Sequence, residues 1–118
     1  MPEDEKMLLI RIAADMTKYY TFLSQALRTV YDVEVASQMP QEVLLSLLNK
    51  TRDGLLLVLN ENTVVKEGME QIYHEVIRIL TRANTGDALA AEEAKELGKK
   101  LTERIKAMSD LVAIYRRL

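Results

Sequence analysis

The chain has one histidine, His74, and no cysteine. His74 is the one side chain whose unperturbed pKa lies near neutrality. On a helix it has Glu70 four residues before it and Arg78 four residues after it, and an imidazole held out to solvent has the chemistry of a phosphoryl acceptor. The lack of cysteine removes a disulfide framework, a thiolate zinc site, an iron–sulfur cluster and a Cys nucleophile together. A di-iron or di-manganese helical centre needs two Glu-x-x-His motifs on facing helices. With one histidine, and Gln71 standing where the preceding Glu belongs, that centre is excluded in its usual form. A carboxylate-only magnesium site needs acids on inward faces, yet the Asp and Glu residues fall mainly outside the apolar seams. Neither a serine triad nor a glycine-rich phosphate cradle has support, since no strand and no Ser beside His74 is predicted. The expectation is a chain without catalytic residues, cofactor, metal or evident small-molecule substrate.

The run Tyr73-His74-Glu75-Val76 resembles the His-Glu-apolar opening of the sensor-kinase phosphoacceptor box. That resemblance implies a histidine phosphotransfer module with His74 as acceptor. It covers three residues: Arg78 falls one place later than the box's basic residue, and no Thr-Pro follows. No glycine follows at the spacing phosphotransfer domains favour. A surface histidine among charged neighbours is the plainer reading. A second alternative, a small helical subunit of a nucleoprotein complex, would use the row Arg11, Lys18 and Arg28 on phosphates. Asp15 and Asp32 interrupt that row, no exposed aromatic offers base stacking, and the net charge is −2 with a pI near 5.5. Nucleic acid is therefore not the expected partner.

The elements that would carry these residues are helices. The 118 residues are 48% apolar and 29% charged, which suits one globular domain over residues 1–118. Leu9, Ile12, Met16, Tyr19, Leu23, Ala26 and Val30 recur at spacings of 3, 4, 3, 4, 3 and 4, a continuous helical seam. Ala13, Tyr20 and Leu27 widen it, so a first helix is predicted over residues 4 to about 31. Val33–Met39 has no stripe and is expected to be irregular. Pro40 suits a first turn, and a second helix is predicted from there.

Residues 51–66 admit two readings. Either the helix runs through Gly54 to about Leu59, or Leu55–Leu59 and Thr63–Val65 form a hairpin over Asn60-Glu61-Asn62. Leucine favours helix and no other segment alternates with period two, so the helix is the expectation. A third helix follows from about Asn62 to Ala83 on Val65, Met69, Ile72, Val76 and Ile79. Asn84-Thr85-Gly86-Asp87 ends it and offers a cap for the fourth, whose seam is Ala94, Leu97, Leu101, Ile105, Met108, Val112 and Tyr115. The tyrosines, lying on or beside these seams, are expected to keep their hydroxyls in solvent.

Four such helices pack most simply as an all-α, antiparallel up-down-up-down bundle with long first and last helices. The outer two come to roughly 42 and 46 Å against roughly 28 and 33 Å for the middle pair, at 1.5 Å per residue. Residues 4–12 and 110–118 then project together as a two-helix arm. Leu8, Ile10, Leu111, Ile114 and Leu118 are more apolar surface than two helices can hide, so they are the expected interface. The partner is another protein or a second copy. An acidic start and no run of about 20 apolar residues predict neither a signal peptide nor a membrane span, and hence the cytoplasm.

Overall fold

A computed structural model describes residues 2–59 and 61–118. Met1, and Asn60 of the alternative hairpin turn, lie outside the described residues. The described chain is all-α, with five helices.

Helix α1 (Glu3–Arg28) starts behind Pro2, with Glu3, Asp4 and Glu5 in its first turn at the positive end of the helix dipole. It stops three residues before the expected boundary. Arg28 donates to the Asp32 carboxylate at 3.1 Å, and Asp32 in turn accepts from the backbone N–H of Glu34 and Val35 at 3.1 and 3.3 Å. That cap starts α2 (Val33–Gln38), in a segment expected to be irregular. Satisfying first-turn donors suffices for six residues even without an apolar stripe, and none of the six is buried. Pro40 precedes α3 (Gln41–Val58), which runs uninterrupted through Gly54. Leu44, Leu48 and Leu55 are buried on one face of α3. That burial outweighs the roughly 1 kcal/mol that a mid-helix glycine costs. The hairpin alternative is thereby excluded.

Asn62 caps α4 (Thr63–Asn84) by accepting from the Val65 N–H at 3.1 Å. Gly86, at φ +89°, takes the left-handed step that turns the chain. Asp87 accepts from the Leu89 N–H and from Arg82 before α5 (Ala90–Arg117) begins.

Helix α1 is the axis of the packing. It lies most extensively along α5, then α3, and also touches α4. Its Tyr19, Leu23 and Leu27 meet Leu48, Leu55, Met69, Val76, Ile79, Ala94 and Leu101 in one core. Each large apolar side chain buried there contributes about 1.5–3 kcal/mol. At one end Gln41 donates to Thr29 at 3.0 Å and Asn84 donates to Gln41 at 3.1 Å, which ties the ends of α1 and α4 to the start of α3. At the other end, Val58 and Gly54 line a groove with Arg11, Asp15 and Lys18, so α3 runs back along α1.

Helices α3 and α4 are joined mainly by long side chains. Arg52 donates twice to Glu70, at 3.0 and 2.8 Å, and stacks 4.3 Å above the Tyr73 ring. The Tyr73 hydroxyl donates to Asn49 at 2.8 Å. The seam between this pair is therefore polar. Tyr19 departs from the expectation for the tyrosine hydroxyls. Its side chain is wholly buried, and its hydroxyl donates to the Met69 carbonyl at 3.1 Å instead of reaching water.

Candidate interaction surface

Along the α1–α5 pair, Ala14 and Thr17 lie beside Ser109, Val112 and Arg116. The first turns of α1 and the last turns of α5 therefore share one end of a molecule 51 Å long. Helix α3 ends level with Arg11, and α4 begins near the level of Ala13, since Tyr19 is bonded to Met69 six residues into α4. Residues 3–11 have no third or fourth helix beside them over most of their length. Among the described residues, no fully buried one precedes Ala13 and none follows Leu101.

The five expected interface residues all belong to this end but do not form a single stripe. Leu8, Ile114 and Leu118 are exposed at 50%, 49% and 64%, whereas Ile10 and Leu111 are half-buried. Ile10 shares the flank of Ala14 and Thr17, which α5 covers, and Leu8 shares the flank of Arg11 and Asp15, beside α3. Leu111, Ile114 and Leu118 follow one another at spacings of 3 and 4 along a single flank of α5.

Four more exposed apolar residues lie toward this end. Met7 is exposed at 61%, and Leu57, Val58 and Val64 stand out where α3 gives way to α4. The sequence signal for Leu57 and Val58 was the unbroken run Leu55–Leu59, because a helix buries one face of such a run and must expose the other. Charge brackets the same end. Glu3, Asp4 and Glu5 are exposed at the start of α1, and Arg116 and Arg117 at the finish of α5. Among the described residues, the only ion pair touching these five is a long one of 3.9 Å between Lys6 and Glu3.

The residues of the alternative readings lie apart from this end. The His74 side chain is 71% exposed, edge-on to Tyr73, and its Nε2 stands 3.6 Å from a Glu70 carboxylate already engaged by Arg52. Arg11 and Lys18 share a groove with Lys50, while Arg28 lies off that groove and pairs with Asp32. No group of three or more potential metal ligands occurs among the described residues. No described helix is long and apolar enough to cross a membrane. Compared with family models, curated proteins and solved structures, the chain matches none.

Proposed function

We propose that this chain is a non-catalytic helical interaction module: an adaptor, a regulator or chaperone of a helical client, or a small structural subunit. In this reading α1, α3, α4 and α5 act as an up-down-up-down four-helix bundle whose apolar end docks onto another helical surface, self-association included. The observation that carries it is the exposure of Met7, Leu8, Ile114 and Leu118 at the end that the first turns of α1 share with the last turns of α5. Large apolar side chains left in water cost free energy that a partner covering them would recover. The half-buried Ile10 and Leu111 brace the surface, and Leu8, Ile114 and Leu118 present it.

Affinity capture from the native source tests the reading, run in parallel with wild type and with an Ile114→Ser/Leu118→Ser variant of unchanged helix content. A partner retained by wild type and lost by the variant is expected. An identical set of partners on both would defeat the proposal. The exposure of His74 favours one second reading, a phosphotransfer module. Acid-labile phosphate on wild type that is absent from His74→Gln would select it.

A further inference from the structure

The apolar end carries both halves of an electrostatic pair without using them on each other. The carboxylates of Glu3, Asp4 and Glu5 begin α1, and the guanidinium groups of Arg116 and Arg117 finish α5, at the same end of the molecule and all exposed. No ion pair joins the two groups among the described residues. Along the axis between them lie Met7, Leu8 and Leu118, with Ile114 about one turn further in, and all four are exposed. An end that carries an acidic group, a basic group and exposed apolar side chains at stepped levels can pair with itself under a two-fold rotation, the symmetry an isologous dimer requires.

We infer that the occupant of this end is a second copy of the same chain, turned end for end, with α1 of each copy lying alongside α5 of the other. The inference rests on the docking role proposed above and adds the partner and its orientation. Within one chain α1 and α5 are antiparallel, Ala14 and Thr17 facing Val112 and Ser109. Turning one copy over makes α1 parallel to the other copy's α5. With the two-fold axis level with Leu8, that residue comes beside Leu118 of its mate. The acidic first turn of α1 then falls within about one helical turn of the mate's Arg116 and Arg117. The uncovered residues 3–11 of α1 and the last turn of α5 in each copy then cover those of the other. The contact is small. Residues 3–11 span about 14 Å of helix, so each copy buries less than the roughly 800 Å² per partner of a standard stable interface. The dimer is therefore concentration-dependent and exchanges freely.

Sedimentation velocity and light scattering, from about 1 µM to about 1 mM, test this with two charge-reversed variants. One carries Glu3→Lys and Glu5→Lys; the other carries Arg116→Glu and Arg117→Glu. Wild type is expected to shift from monomer to dimer over this range. Each variant alone is expected to dimerise at least about tenfold more weakly, because like charges now meet. Their equimolar mixture is expected to recover most of the lost association, since the reversed positions again meet opposite charges. That recovery also shows that both variants are folded. Leu118→Ser is expected to weaken association at any salt concentration. A wild type that stays monomeric throughout would overturn the self-pairing and leave the docking role to the capture experiment. Dimerisation that responds to Leu118→Ser but ignores charge reversal would overturn the orientation. A dimer indifferent to all three changes would place the contact elsewhere and defeat the self-pairing at this end, leaving the docking role to the capture experiment.

Discussion

The Tyr19 hydroxyl has no route to water, so its bond to the Met69 carbonyl is the only satisfaction open to it. Burial raises its pKa above the ordinary 10; the Glu70 carboxylate adds to the rise, and Arg52 opposes it. A raised folded-state pKa contributes stability that is complete below the unfolded value and fades as the pH climbs above about 10. Tyr19→Phe keeps the ring and strands no buried donor. We expect it to cost about 1 kcal/mol at neutral pH in urea unfolding. Its melting temperature should fall less steeply than that of wild type above about pH 10. Asp32 has the opposite sign. The Val35 N–H, then Arg28, hold its carboxyl below the usual range. The α2 cap is therefore intact above about pH 4 and lost as acid protonates it. Amide chemical shifts of Glu34 and Val35 should move together as the pH falls through that range, and Asp32→Ala should abolish the coupled movement.

At the scale of elements, Gly54 shows how tertiary burial overrides a local signal. Asp53-Gly54 looks like a turn, but Leu48 and Leu55 on either side are both fully buried and hold the helix through it. A β-carbon at Gly54 would meet nothing within 4 Å. Gly54→Ala should therefore stabilise the protein by about 0.5–1 kcal/mol, read as a melting temperature several degrees higher. Gly86→Ala should lose roughly 1 kcal/mol or more, because its φ of +89° is strained for any side chain. The four long helices were legible because seams such as Leu9–Val30 and Val65–Ile79 repeat at helical spacing. Helix α2 was not, since a cap rather than a stripe creates it. The polar α3–α4 seam was equally hidden. Arg52, Glu70, Tyr73 and Asn49 are ordinary surface residues until the fold sets two helices at the distance long side chains span. The apolar end was legible in its residues but not in its shape. Periodicity identified Leu8 and Ile114 as surplus, whereas the division of Leu8 and Ile10 between two flanks depends on which neighbour covers which side.

Viewed whole, the molecule is unevenly secured along its length. Polar bonds among Thr29, Gln41 and Asn84, with Arg82 held by Asp87 and Glu93, fasten one end, while the opposite end lacks a fully buried side chain in either α1 or α5. Amide hydrogen exchange should be slowest around Leu23, Val76 and Leu101 and quicken steadily toward residues 3–11 and 110–117. Leu23→Ala should cost about 2–5 kcal/mol by cavity formation. Leu118→Ala should change the monomer's stability by less than about 0.5 kcal/mol. One practical consequence comes from α1 starting where α5 finishes. A bulky reporter fused ahead of Pro2 or behind Leu118 would crowd Met7, Leu8 and Leu118 and obstruct docking at that end. Labels inserted near Gly86, at the opposite pole, leave it clear.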